Sequence, residues 1–152
     1  RGKNEGMNRA RDVEVCVPCR NLELVMPYID LYLTDIKIID EQKHIEMTGA
    51  SNKQILENLR FIGHTCPEKA CLRYPIIPGC TDSEDNVHAI GKFCRDNGFS
   101  RVNILPYHKL GSSKHERLGS TYLLPDVQAP GDEEMRCISD ILETYAITCI
   151  IN

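Results

Sequence analysis

An α/β fold with a mainly parallel sheet is predicted by two observations. Short β-branched and aromatic runs alternate with stretches whose apolar residues recur at helical spacing, the pattern of βαβ units. The runs also end in polar or proline-rich tips, as strands do when their C-terminal ends open onto a rim. Four or five strands are too few for a closed eight-stranded barrel, which leaves an open partial barrel or a short doubly wound sheet.

The central run is Leu31-Tyr32-Leu33-Thr34-Asp35-Ile36-Lys37. Read as a strand, it places Leu31, Leu33, Asp35 and Lys37 on one face and Tyr32, Thr34 and Ile36 on the other. A face that starts as leucine and finishes as an acid and a base reads as a buried strand whose tip opens onto a polar site. A solvated ion pair at a strand end is the plainer reading.

Upstream, residues 1–8 are polar and read as a frayed lead-in, and Ala10 to Val17 is weakly extended, with Asp12 its one distinctive residue. Leu22, Val25, Met26 and Ile29 make a short amphipathic helix. A polar loop or helical turn follows Lys37 through His44 to Thr48-Gly49. Ser51-Asn52-Lys53-Gln54 reads as a capping box for a helix with Ile55, Leu56, Leu59 and Ile62 on its apolar stripe.

The next strand is Cys71 to Ile77, where Pro75 marks a bulge or the strand's exit and Pro78-Gly79 closes it. Thr81-Asp82-Ser83-Glu84 opens a helix burying Val87, Ile90, Phe93 and Cys94, with Asn97-Gly98 as its stop. Val102 to Leu105 is a strand ending in Pro106-Tyr107-His108. A long loop rich in Gly, Ser, Lys and His runs to Tyr122-Leu123-Leu124-Pro125. Met135, Ile138, Ile141, Leu142 and Tyr145 mark a last helix, and Ile147 to Ile151 a last strand.

The 152 residues suit one domain or a piece of a larger one, and a start at Arg1 rather than methionine keeps an excised segment open. A net charge of −4 gives no electrostatic case for nucleic acid or an anionic membrane. The apolar runs are strand-sized and no signal peptide precedes the first of them, so a membrane span is not expected. Eight cysteines scattered through a chain of ordinary core composition suit reduced thiols and a cytoplasmic location better than a disulfide scaffold.

Right-handed crossovers carry successive strand tips to one rim, so Asp35, Lys37, Arg73 and His108 are expected there together. One acid, two cations and a histidine suit an amphiphilic ligand with a carboxylate and hydroxyls. Against this, Arg73 could pair with a local acid such as Glu68, and a strand-end histidine is often structural.

The ordered series Asp35-Ile36-Lys37, Thr48-Gly49 with Asn52 and Ile55-Leu56, Arg73-Tyr74-Pro75-Ile76-Ile77-Pro78-Gly79 with Thr81-Asp82 and Asn86, then Leu105-Pro106-Tyr107-His108 with Leu110-Gly111, Lys114 and Leu118-Gly119 resembles the C-terminal part of glycyl-radical enzyme activating enzymes. The nearest pattern is the pyruvate formate-lyase activating type of the radical S-adenosylmethionine superfamily, matched from about Asp12 to the C-terminus. The resemblance implies that residues 1–152 form the C-terminal part of a partial (β/α)6 TIM-like barrel, truncated at its N-terminal strands. By motif position, Asp35, Ile36 and Lys37 would contact the methionine and ribose parts of S-adenosylmethionine, and Arg73 and His108 would complete the pocket. Asp12 matches the family's cation-binding aspartate.

The resemblance further implies a [4Fe-4S] cluster whose ligands lie upstream of this chain. Its electron would come from a donor such as flavodoxin or ferredoxin. The intact enzyme would make a 5′-deoxyadenosyl radical and install a glycyl radical on pyruvate formate-lyase or a relative. Two departures stand out. The CxxxCxxC cluster motif and the Gly-Gly-Glu segment are absent, and Asp12-Val13-Glu14-Val15 replaces Asp-Thr-x-Gly. The chain by itself is therefore expected to be inactive. Two readings from other classes compete: a barrel lyase such as an aldolase with a Schiff base on Lys37, and a binding module with structural zinc on Cys16 and Cys19.

Overall fold

The computed structural model describes residues 10–12, 19–107 and 127–151. Five strands form one sheet in the order β1-β2-β3-β4-β5, every neighbour pair parallel: β1 Ala10–Asp12, β2 Leu31–Asp35, β3 Ala70–Ile76, β4 Arg101–Pro106 and β5 Thr148–Ile151. Strand order decides between the two architectures left open by the sequence. A doubly wound sheet reverses direction at a switch point, and here each strand lies beside the next in sequence. With right-handed crossovers, that order puts the connecting helices on one face, as in a segment of a barrel.

Burial follows the same geometry. Tyr32, Leu72, Tyr74, Ile76, Val102 and Ile104 are buried on the helix-covered face, with Ile36 just beyond β2, whereas Leu31, Leu33, Asp35, Cys71, Arg73, Pro75, Asn103 and Leu105 alternate with them and stay half-buried. The sequence of β2 predicts its leucine face as the buried one. The deeper face is the other, because helices cover it and nothing among the described residues covers the leucines to the same depth.

The helices are α1 Cys19–Val25, α2 Glu41–Thr48, α3 Lys53–Thr65, α4 Glu84–Asp96 and α5 Asp132–Glu143, with 3-10 turns at Met26–Tyr28 and Pro67–Lys69. α3 buries Leu56, Leu59 and Ile62, α4 buries Val87, Ile90, Phe93 and Cys94, and α5 buries Met135, Ile138 and Leu142, the stripes their spacing predicts. Two helical glycines permit close approaches: a Cβ on Gly63 would stand 2.1 Å from the Asn97 carbonyl oxygen, and one on Gly91 2.5 Å from the Tyr145 ring.

α2 has no apolar stripe and exists for local reasons. Asp40 caps it by accepting from the Lys43 amide at 2.8 Å, and Gly49 ends it at φ 78°. Its buried His44 turns inward, with Nδ1 2.8 Å from the Ala50 carbonyl and 3.0 Å from the Thr48 hydroxyl. The capping box expected at Ser51 to Gln54 does not form. Helix α3 starts one residue later, at Lys53, and Gln54 reaches forward to Glu57 and Asn58 instead of back to Ser51. Asn52, the residue at the cap, has long-range partners.

Candidate functional site

β2 and β3 pair so that Asp35 stands beside Arg73, and β3 and β4 so that Arg73 stands beside Asn103. This row lies on the half-buried face, at the C-terminal end of β2 but midway along β3 and β4. Arg73 Nε donates to Asp35 Oδ1 at 2.8 Å, and Lys37 Nζ lies 3.9 Å from Asp35 Oδ2. The side chains are 25%, 35% and 44% exposed for Arg73, Asp35 and Lys37, a gradient from sheet to solvent that leaves Lys37 the most accessible cation of the three. Arg73 thus pairs with the acid across the strand rather than with Glu68.

Two polar atoms near this row have no partner although they are buried: Asn103 Oδ1, whose amide nitrogen contacts Cys71 Sγ at 2.9 Å, and the hydroxyl of Tyr107. Tyr107 follows β4 directly and is tied to its neighbour strand by its amide, which donates to the Ile76 carbonyl at 3.0 Å. Two more buried polar atoms without a partner, the Tyr32 hydroxyl and Thr34 Oγ1, lie on the helix-covered side of β2.

The rim rests on residues that sequence reasoning quoted as motif but gave no role. Beyond β2 the chain stays extended, with the Ile36 amide donating to the Arg73 carbonyl at 2.9 Å. Asn86 Nδ2 donates to the Lys37 carbonyl at 2.8 Å, and its Oδ1 accepts from the Ile39 amide at 3.0 Å. Asn52 Nδ2 donates to the carbonyls of Ile38 and Ile39 at 2.8 and 2.9 Å. Tyr74 and Thr81 support Asn86: its amide donates to the Thr81 carbonyl at 2.8 Å, and the Tyr74 hydroxyl donates to the same carbonyl. Burial raises Tyr74 above an ordinary phenol, which keeps that donor protonated. The Thr81 hydroxyl closes the 76–81 turn between the Pro75 carbonyl at 2.7 Å and the Ile77 amide at 2.8 Å.

The sequence-predicted set divides. Asp35, Lys37 and Arg73 come together. The side chain of Ile36 is 1% exposed on the helix-covered face, so only its backbone can reach a ligand at the rim. Asp12 ends β1 in register with Leu33, and His108 lies outside the described residues, as does Cys16. Cys19 begins α1, and among the described residues no group of three or more His, Cys, Asp or Glu side chains could hold a metal. Lys37, half-exposed beside a carboxylate, lacks the desolvated pocket that a Schiff-base lysine uses.

The six described cysteines outside α1 are free thiols. Burial pushes Cys94 up to about 12, with Cys149 adding to the shift, and it also raises Cys66 and Cys80. These thiols behave as small apolar groups. Among the described residues no helix is long and apolar enough to cross a membrane.

No protein-family model matches this chain. Individual relatives do. The chain is 57% identical over 145 residues to the indoleacetate decarboxylase activating enzyme of Tractidigestivibacter scatoligenes, covering 95% of this chain and 46% of that protein. It is 32% identical over 146 residues to the pyruvate formate-lyase 1-activating enzyme of Escherichia coli K12, covering 94% and 59%. The 4-hydroxyphenylacetate decarboxylase activating enzyme of Clostridioides difficile CD196 is likewise 32% identical, over 95% of this chain and 46% of its own length. In fold, the chain matches a crystal structure of a domain of pyruvate-formate lyase-activating enzyme from Bacteroides vulgatus ATCC 8482. The TM-score there is 0.80 at 24% identity, covering 99% of this chain and 84% of that one. The homologues of this chain are therefore glycyl-radical enzyme activating enzymes, and it spans about half the length of the curated relatives it matches.

Proposed function

We propose that this chain supplies the S-adenosylmethionine-binding rim of an enzyme that installs a glycyl radical on a partner protein. The observation that carries the reading is the Asp35–Lys37–Arg73 constellation, gathered around the tip of β2 in a chain homologous to such activating enzymes. Its chemistry fits the ligand. Lys37, the accessible cation, suits the methionine carboxylate, and Asp35 suits ribose hydroxyls while its other oxygen holds Arg73. The orphaned Asn103 Oδ1 and Tyr107 hydroxyl are further polar groups in want of partners. His108 and Asp12 keep the roles their motif positions imply.

S-Adenosylmethionine supplies one-electron hydrogen abstraction when it is bound beside a reduced iron–sulfur cluster. This chain's residues orient it. The ammonium of Lys37 fixes the carboxylate end, the strand tips fix the distance between polar contacts, and the half-buried leucines and Pro75 limit water on that face. The described residues do not fit the cluster itself, since none of them groups as ligands. The cluster's cysteines are accordingly assigned to polypeptide beyond this chain, which by itself is expected to be inactive as an activase.

The partner is a glycyl-radical enzyme, with a flavodoxin or ferredoxin type of electron donor. Identity of 57% to an indoleacetate decarboxylase activating enzyme, against 32% to a pyruvate formate-lyase 1-activating enzyme, favours a decarboxylase of the first kind as the protein acted on. The test is Lys37→Ala in the full natural polypeptide, with S-adenosylmethionine affinity measured by anaerobic calorimetry. Losing one charge-assisted hydrogen bond costs about 1.5–3 kcal/mol, or roughly ten- to a hundredfold in affinity. An unchanged dissociation constant removes Lys37 from the site.

A further inference from the structure

Lys37 lies beyond the last residue of β2, where the sheet ladder no longer holds the chain on both sides. What holds it is a pair of side-chain amides, each brought in by a different helix. Asn86, from the first turn of α4, grips the backbone on either side of Ile38: its Nδ2 donates to the Lys37 carbonyl and its Oδ1 accepts from the Ile39 amide. Asn52, at the start of α3, donates to the next two carbonyls, those of Ile38 and Ile39. Four backbone polar groups of the strand exit are thus satisfied by two residues that are themselves 2% and 6% exposed.

We propose that Asn52 and Asn86 are positioning residues for the rim, setting where Lys37 projects relative to Asp35 and Arg73. The proposal deepens the cofactor-binding reading and rests on it for the identity of the ligand. Three observations separate it from ordinary packing. Asn52 gives both its donor contacts, and Asn86 one donor and its acceptor, to one three-residue segment, and neither caps its own helix through its side chain. Asn86 is itself oriented by the Tyr74 hydroxyl and the Thr81 carbonyl, so its amide has one available orientation. The strand beneath ends in Asp35, whose two carboxylate oxygens face the two cations that the segment must keep apart.

Replacing an amide by an isosteric carboxyl removes the NH2 donors and keeps the shape, so Asn86→Asp and Asn52→Asp are the informative changes. The control is Ile138→Val, which loosens the core under α5 far along the chain from the rim. Each is made in the full natural polypeptide. Amide hydrogen exchange is read at Ile36, Ile38 and Ile39, and S-adenosylmethionine affinity by calorimetry. In the unmodified protein the Ile39 amide should be as protected as the Ile36 amide, which bonds to β3.

In both carboxyl variants the affinity should fall by about tenfold or more, the effect of one misplaced charged contact, and the 37–39 segment should lose protection, less in Asn86→Asp because its carboxylate can still accept from the Ile39 amide. Ile138→Val, at matched loss of thermal stability, should leave both readouts in place. An unprotected Ile39 amide in the unmodified protein overturns the proposal whether or not the variants fold. So does an affinity loss in Ile138→Val equal to that in Asn86→Asp, or an unchanged affinity in the carboxyl variants. If the unmodified protein binds no S-adenosylmethionine yet the segment loses protection only in the carboxyl variants, the positioning stands and the cofactor reading falls.

Discussion

The two faces of the sheet carry the same strands and are built to opposite ends. On the helix-covered face, Tyr32, Leu72, Tyr74, Ile76, Val102 and Ile104 are at most 1% exposed and pack against three helical stripes. On the other face, alternate residues of the same strands stay half-buried, and the row that would be its centre is Asp35, Arg73 and Asn103. Burial is concentrated on one side and the charged and polar row on the other, one residue apart along β2, β3 and β4. A change of a single position therefore moves between the two regimes, which makes the comparison open to direct test.

The largest effect is expected from truncating matched apolar side chains on the two faces. Ile104→Ala should cost about 2–5 kcal/mol, the range for a fully buried aliphatic residue in a packed layer. Leu33→Ala, on the half-buried face, should cost less than Ile104→Ala, because it removes a smaller area from water. Urea unfolding of both variants measures this, and equal losses would break the contrast between the faces.

Alkaline titration addresses the covered layer alone. Burial holds the Cys94 thiol at about 12 in the folded protein against 9.0 as its ordinary value, so the unfolded chain releases that proton first. The stability this group contributes is complete below pH 9 and is lost as pH rises from there towards 12. The slope is about 1.4 kcal/mol per pH unit. Tyr32, pushed up to about 12 by burial and by Cys66, acts in the same sense above pH 10. Cys94→Ala should flatten the first part of the curve; an unaltered slope between pH 9 and 10 would assign it to other groups.

The smallest effect on stability should come from the charged rim. Asp35→Asn removes both ion pairs of a partly exposed cluster, and such pairs are worth less than about 1 kcal/mol. A near-wild-type melting temperature together with loss of S-adenosylmethionine binding would sharpen the division between the faces. A melting temperature depressed as far as that of Ile104→Ala would place the rim among the structural elements.

Much of this division was legible in the sequence. The 3.6-residue stripes of α3, α4 and α5 and the alternation along β2 follow from side-chain periodicity, which is a local property. The placement of Asp35 and Lys37 followed from the end of β2, whereas Arg73, midway along β3, meets them through the register of the two strands. Three features escaped. The polar helix α2 has no stripe to announce it, since its inward residue is His44, satisfied by Thr48 and Ala50. Ser51 to Gln54 has the composition of a capping box, but Asn52 finds better partners 13 and 14 residues upstream, and no local pattern records a contact at that separation. Which face of β2 lies deeper depended on where the helices settle, and that is set by strand order rather than by the strand.

Strand order has a kinetic consequence as well. Because every strand pairs with its successor, no strand waits for a partner from the far end of the chain. Each connection is closed before the next strand is added, so the entropy of closure is met in steps. A chain emerging from the ribosome can add each strand to an edge already formed, in the order of synthesis. The rim follows the same sequence: Asp35 and Lys37 are delivered first, Arg73 joins them when β3 docks, and Asn86 secures the tip only after α4 has formed. The charged row is completed in the direction of translation, and the Lys37 carbonyl gains its Asn86 partner last.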